Sequence, residues 1–225
     1  TSCLIFTAGG LIVSNQMTIL TEVHPKFDRE GMVVIELPED EMADMYIQDL
    51  NSLAAITGVS RVGNEALPMS EDKLWDVYRA KSGNEDITKL CSVIHVDTAY
   101  LNLLQIDIHQ GINFVELNQE AGSRRVIINN ALAASLDWET SVGQKIYYAN
   151  TEYEVAGVVE DFNDNGLQAI VHPLIIFRLD EDPSNLLIKI NEFDDEKLAS
   201  LKELWSRHFG PIPFEYGLLN SRFLE

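Results

Sequence analysis

Cysteine is nearly absent from this 225-residue chain, occurring only at Cys3 and Cys91. Two thiols cannot make the framework of bridges that holds small secreted scaffolds, so the fold must rest on a buried core. Cys3 lies in an apolar leader and Cys91 in the run KLCSVIHV; both read as buried thiols. Basic residues are also scarce. Sixteen Lys and Arg stand against 36 Asp and Glu, a formal charge of −20. Such a surface repels phosphate backbones and anionic headgroups, which argues against nucleic acid as a partner. It leaves solubility or a cationic partner as the use of the charge.

Long hydrophobic runs are missing too. No charged residue occurs before Glu22, and Leu4 to Val13 is mostly apolar. That run is shorter than the ~20 residues a spanning helix needs, and it lacks the basic start of a signal peptide. It reads either as the outer end of a transmembrane helix or as a buried helix of a soluble protein. Catalytic motifs are absent as well. No G-x-S-x-G and no G-x-x-x-x-G-K-[ST] occurs, so neither esterase nor ATPase chemistry is signalled.

What is present is ordinary for a folded protein: 46% hydrophobic and 23% charged residues, enough for one large domain or two small ones. Gly31 precedes a strand over Met32 to Leu37. The spacing of Met42, Met45, Ile47, Leu50, Leu53, Ala54 and Ile56 predicts a helix over Asp40 to Thr57, with Glu39, Asp40 and Glu41 at its positive end and Gly58 as its stop. A strand over Val59 to Leu67 completes a strand–helix–strand unit. Residues 68–88 are polar, although Leu74 to Tyr78 could pair at a sheet edge. A strand over Leu90 to Val96 follows, then a short helix to Leu104 for which Asp97 is the expected N-cap. Val126 to Ile128, Tyr153 to Phe162 and Leu174 to Phe177 read as further strands. Leu186 to Ile190, a helix over Asp194 to Phe209 striped by Leu198, Leu201, Leu204, Trp205 and Phe209, and a strand over Pro213 to Leu219 form a second strand–helix–strand unit.

The polar residues that could carry chemistry each have a plain structural reading. His95 with Asp97, and Asp107 with His109, are i,i+2 pairs that could share a strand face. A catalytic zinc site wants a third protein ligand, and none is signalled. His172 precedes Pro173 with no nucleophile motif beside it. Glu160 and Asp161 are adjacent on a strand, so they point to opposite faces and are poorly placed to cooperate as an acid–base pair. They read as a strand end entering the turn Asn163 to Gly166. Asn129 and Asn130 read as scaffold residues that fix the following helix through the backbone. No catalytic, cofactor-binding or metal-ligating residue is assigned.

The order of elements over residues 126–177 carries a resemblance: Val126 to Ile128 with Asn129, Gly143-Gln144-Lys145-Ile146, then YEVAGVVEDF, then Pro173 to Phe177. It resembles the extracytoplasmic domain of MacB/FtsX-like ABC-transporter permeases. Gln16, Phe27, Asp28 and Val33 to Leu37 match the family's entry into its first strand. Val96, Asp97, Tyr100, Leu101, Ile106, Gly111 and Phe114 match the lead into the smaller subdomain, with Ile112 where the family usually has Arg. Asn130 stands where a Glu is common. Trp205, Phe209, Pro213, Phe214, Tyr216, Leu219 and Phe223 match the C-terminal pattern.

The resemblance implies an α+β fold of two subdomains. A Porter-like α/β subdomain of βαβ units would be built from both chain ends, with a mostly β, Sabre-like subdomain inserted. The corresponding boundaries are a transmembrane or stalk helix end at 1–22, Porter-like segments at 23–94 and 181–225, and the insert at 95–180. It further implies a domain in the periplasm on an inner-membrane permease, a separate cytoplasmic ABC ATPase, a permease dimer, and a periplasmic partner or substrate that the sequence does not name. No enzymatic activity and no cofactor are expected. The domain would couple ATP hydrolysis to movement for export, lipoprotein extraction or signalling. Two other readings remain. A free two-lobed binding protein would show a deep cleft between lobes, and a hydrolase would depend on His95, His109 or His172.

Overall fold

The computed structural model describes residues 31–38, 42–68, 73–82, 85–117, 124–136, 138–162, 171–179 and 185–219. The apolar leader with Cys3, Gln16 and Phe27, the turn Asn163 to Gly166, and Phe223 lie outside the described residues. The fold is mixed α+β, with strands predominating.

The elements in chain order are β1 (Met32–Glu36), α1 (Ala43–Ser52), β2 (Ile56–Val62), a 3₁₀ turn (Asn64–Ala66), β3 (Leu74–Ser82), β4 (Glu85–Val96), α2 (Tyr100–Leu103) and β5 (Ile108–Gly111). After a second 3₁₀ turn (Phe114–Glu116) come β6 (Arg125–Asn129), α3 (Asn130–Ser135), β7 (Lys145–Tyr148), β8 (Thr151–Val159), β9 (Leu174–Arg178), β10 (Asn185–Ile190), α4 (Asp195–Phe209) and β11 (Tyr216–Leu218).

The first and last strands share one sheet in the order β11-β1-β10-β2, every neighbour antiparallel. The unit β1–α1–β2 therefore interleaves with β10–α4–β11. β1 and β10 are the inner pair and read MVVIE and NLLIKI. Near-continuous apolar runs suit strands buried on both faces. One face, carrying Val33, Ile35, Leu186, Ile188 and Ile190, meets Tyr46 and Leu50 of α1 and Leu201, Leu204, Trp205 and Phe209 of α4. Removing each such large side chain from water is worth about 1.5–3 kcal/mol.

The middle strands form a second set of pairings. β4 pairs β3, β3 pairs β7, β7 pairs β8, β8 pairs β6, β6 pairs β9, and β9 returns to β4. These pairings close a barrel. Its interior holds Tyr78, Ala80, Cys91, Val93, Val126, Ile128, Ile146, Val155, Val158, Ile175 and Phe177, joined by Leu132 and Leu136 from α3 and the residue after it. Between barrel and sheet lies a third core. Met32, Val34, Val62 and Leu187 from the sheet meet Ile94, Val96, Tyr100, Leu101, Leu104, Ile127, Val159, Leu174 and Ile176.

Several elements differ from expectation for identifiable reasons. The first helix ends at Ser52, because Leu53 is already extended and Ile56 opens β2. Leu53 and Ile56 reach the same core from loop and strand, so their apolar spacing mimics a longer helix. Met45, counted on that stripe, is 54% exposed, whereas Tyr46 is buried. Gly58 does not stop the helix but lies in β2, where a Cβ would sit 2.5 Å from Leu103 Cδ1. It admits α2 against the strand. The second strand accordingly ends at Val62 rather than Leu67. Leu74 to Tyr78 pairs with β4, but β3 runs on to Ser82, and Tyr78 to Ala80 also pair with β7. The strand is thus part of the barrel wall rather than an outer edge. Its outward residues are mixed with polar ones because that wall faces water, and β4 begins at Glu85 for the same reason.

Candidate functional site

The polar residues singled out by sequence are dispersed, and each has its own partners. His95 Nδ1 lies 2.8 Å from Glu65 Oε1, which also accepts the His95 backbone N–H at 3.1 Å, and the imidazole stacks on Phe177. Burial pushes the Glu65 carboxyl up, but the His95 hydrogen bond and further backbone and charge contributions outweigh it and hold the pKa below 4.5. Asp97 does not face His95; it turns to β2. His109 meets Asn130 through Nδ1 at 3.1 Å, and His172 places its ring edge-on to Trp75 at 4.8 Å. Asp107 offers its carbonyl to the Glu160 N–H at 3.0 Å. Among the described residues no group of three His, Cys, Asp or Glu could hold a metal ion.

Asn129 and Asp161 close the N-terminus of α3. Asn129 Oδ1 accepts from Leu132 N and Leu174 N, both at 3.0 Å, while its Nδ2 donates to His172 O at 2.8 Å. Asp161 Oδ1 accepts from Ala131 N at 2.8 Å. Orphan amides at a helix start are thereby satisfied. Asn130 plays a smaller part, its side-chain amide turned to His109. Where the family usually has Arg, Ile112 is exposed, and the adjacent 3₁₀ turn is capped instead by Asn113, whose Oδ1 accepts from Phe114 N at 2.6 Å. Cys91 is buried, as expected. Burial first, and the Asp76 charge second, push its thiol from 9.0 up to about 12.

The polar residues cluster elsewhere, at the joint between sheet and barrel. Only one ladder pair, Val62 with Val96, links β2 to β4. Around it, Asp97 gathers three donors: Ser60 Oγ at 2.7 Å, Arg61 N at 2.8 Å and Ala99 N at 2.9 Å. The expected cap is thus offset. α2 starts at Tyr100, and Asp97 holds the turn before it while tying that turn to β2. The Asp97 N–H donates to Arg61 O at 3.0 Å, Gly63 N to His95 O at 3.0 Å, and Tyr100 Oη to Ala66 O at 2.8 Å. Arg61 in turn pairs with Asp44 of α1. Sequence showed Asp97 as a cap but held no signal for its cross-strand role, because Ser60 and Arg61 lie far away along the chain.

Two further features lie at the surface. A cavity of about 310 Å³ opens between the α1–β2 connection and α4, lined by Leu53, Ala55, Ile56, Ile190 and Leu201 with Glu196 and Lys197. The outward face of the β3–β4 hairpin exposes Trp75, Val77 and Leu90. No helix of the described residues is long and apolar enough to cross a membrane.

Comparison with known proteins agrees with this architecture. The periplasmic region of MacB from Actinobacillus actinomycetemcomitans superposes with a TM-score of 0.58 at 14% identity, over 91% of this chain and 95% of that one. The extracellular domain of the ABC-type transporter YknZ from Gram-positive bacteria gives 0.52 at 16% identity, over 84% and 99%. A search of curated proteins found no match. The family model described as the MacB-like periplasmic core domain matches residues 10–201. This chain therefore belongs to the MacB-like periplasmic core domains, the extracytoplasmic domains of MacB/FtsX-like ABC-transporter permeases.

Proposed function

We propose that this domain is a rigid lever of an inner-membrane permease, moved by ATP hydrolysis on a separate cytoplasmic ABC ATPase, and that it performs no chemistry of its own. The permease would work as a dimer and pass the movement to a periplasmic partner or substrate. One observation carries the reading. β1 and β11 are adjacent and antiparallel, with Val33 opposite Leu218, and Leu219 N donates to Met32 O at 3.0 Å. The two ends of the described chain thus lie side by side, the arrangement that a body held by two neighbouring membrane segments requires.

On this reading the chain-end sheet with α1 and α4 is the Porter-like subdomain. The Sabre-like insert spans about residues 74 to 178, wider than 95–180, because β3 and β4 pair within the barrel. The core between sheet and barrel supports movement as a single body, since packed interiors transmit displacement rather than absorb it. A free two-lobed binder needs a cleft at that same place. There, Val34, Leu187, Ile94 and Leu101 pack together, which favours the lever.

The test uses the full permease with its ATPase in a bilayer. Spin labels on Met45 and Glu152 of one copy should keep a fixed separation with and without ATP. Labels on the Met45 positions of two copies should change theirs. A nucleotide-dependent change within one copy would refute rigidity, and no change between copies would refute the coupling.

A further inference from the structure

The outward face of the β3–β4 hairpin carries apolar side chains that the fold does not use. The ladder sets Val77 opposite Leu90 and Trp75 opposite Ser92. Alternation sends Tyr78 and Ala80 into the barrel and Trp75 and Val77 outward. Exposure is 40% for Trp75, 48% for Val77 and 56% for Leu90. The segment before β9 runs beside this face, since Pro173 O accepts the Ser92 N–H at 2.8 Å and His172 packs against Trp75; Val171, next along the chain, is 37% exposed. Farther along the same face, Arg79 lies opposite Thr88 and Lys81 opposite Asp86.

We infer that this face is the contact between the extracytoplasmic domains of two copies of this chain, an inference that rests on the dimeric permease proposed above. Charge selects the occupant. The chain carries −20 overall, so two copies repel through most of their surface. On this face Arg79 and Lys81 stand with Asp86, and the acidic excess is locally removed. A cationic partner would be drawn to the acidic faces, not to this one. The face also complements itself. A two-fold axis running along the hairpin between its strands lays β3 of one copy over β4 of the other. Val77 then meets Leu90 across the contact, and Lys81 meets Asp86, because the ladder already sets them at the same level. Side chains of the sheet face make this contact, so no strand is added to an edge. The patch is small beside the ~800 Å² per partner of a stable interface. Association is therefore weak in solution, measurable at the top of a concentration series, and becomes dominant when the membrane holds two copies at high effective concentration.

Sedimentation equilibrium on the full 225-residue chain, over a concentration series, tests the inference. A reversible monomer–dimer equilibrium is expected. Leu90→Arg should weaken it about tenfold or more, the effect of losing a central apolar contact. Lys81→Glu alone and Asp86→Lys alone should each weaken self-association, because each places like charges across the two-fold. An equimolar mixture of the two variants should recover it as a heterodimer. All three positions lie on the outward face, and unchanged melting curves would confirm that the variants fold. A chain that stays monomeric, association insensitive to Leu90→Arg, or variants that fail to rescue one another would overturn the proposal. None of these results touches the ATP-dependent label distances that test the lever itself.

Discussion

Replacing Asp97 with alanine should loosen the joint between sheet and barrel more than any other single polar change. The wild-type carboxylate accepts from Ser60 Oγ, Arg61 N and Ala99 N at 2.7–2.9 Å. A hydrogen bond to a charged group is worth about 1.5–3 kcal/mol net where water cannot replace it. Ser60 is buried, so its hydroxyl would retain only a 3.5 Å contact with Arg61 O. Arg61 N and Ala99 N are part-buried, and water recovers some of their loss. The sum is about 3–4 kcal/mol for Asp97→Ala, a large share of the roughly 5–15 kcal/mol that typically separates folded from unfolded domains. Asp97→Asn keeps an acceptor for Ser60 and Ala99 but turns an amide donor toward Arg61 N, and should cost about 1–2 kcal/mol. Urea unfolding followed by circular dichroism measures both, and amide exchange should rise most at Arg61 and Ala99. An Asp97→Ala cost within the roughly ±0.5 kcal/mol of an ordinary surface change would refute this and leave the joint held by apolar packing alone.

Other single residues give equally direct tests. Asn129→Ala removes two acceptances and one donation at a nearly closed site and should cost about 2–4 kcal/mol, readable as a lowered urea midpoint; a neutral outcome would show that Asp161 alone suffices to start α3. In a Cys3→Ser background the native protein should resist thiol labelling at pH 8, and stability should fall as pH rises from 9 toward 12, because the unfolded chain ionises Cys91 while the folded one keeps it neutral; rapid stoichiometric labelling would contradict the burial. The Glu65 pKa lies below 4.5 in the folded state, so its contribution is present above 4.5 and is lost as pH falls through the folded value; Glu65→Gln should flatten the acid limb of the melting-temperature profile below pH 4.5, and an unchanged limb would show that the His95–Glu65 pair adds no stability.

How much of this was legible depended on whether a residue's neighbours lay close in sequence. β1, β9 and β10 declare themselves through β-branched and leucine runs because both their faces are buried. α4 is legible because its stripe and its cap, Asp194 Oδ1 accepting from Lys197 N at 2.9 Å, are local. The hairpin was obscured because one face of β3 and β4 meets water, and residues 85–90 look like loop. Its apolar patch left a signal nonetheless: Trp75 and Val77 alternate with Tyr78 and Ala80, so apolar residues occur on both faces of one strand. The cross-strand links of the joint left none, since Ser60 meets Asp97, and Glu65 meets His95, only after the chain has folded.

The same joint decides how the domain would carry load. If the domain is the lever proposed above, force applied near Met32 and Leu219 would act on neighbouring strands, and the ladders from β11 to β1, β10 and β2 would distribute it across the sheet. The sheet has a core on each face, so bending it costs contacts on both sides. Transfer from β2 to β4 is different: one ladder pair stands there against five or more along the sheet's inner ladders. Backbone pairing alone would make that crossing the point of yield. Asp97, with its partners on β2 and in the turn before α2, and Glu65, reaching His95 on β4, add side-chain links where the ladder has run out. Under this reading the barrel follows the sheet because those two carboxylates substitute for missing strand pairs. A lever carrying Asp97→Ala should therefore show a broadened Met45–Glu152 label distance before it shows any loss of secondary structure. If the two losses instead coincided in one transition, the apolar core between sheet and barrel would be the true coupling element.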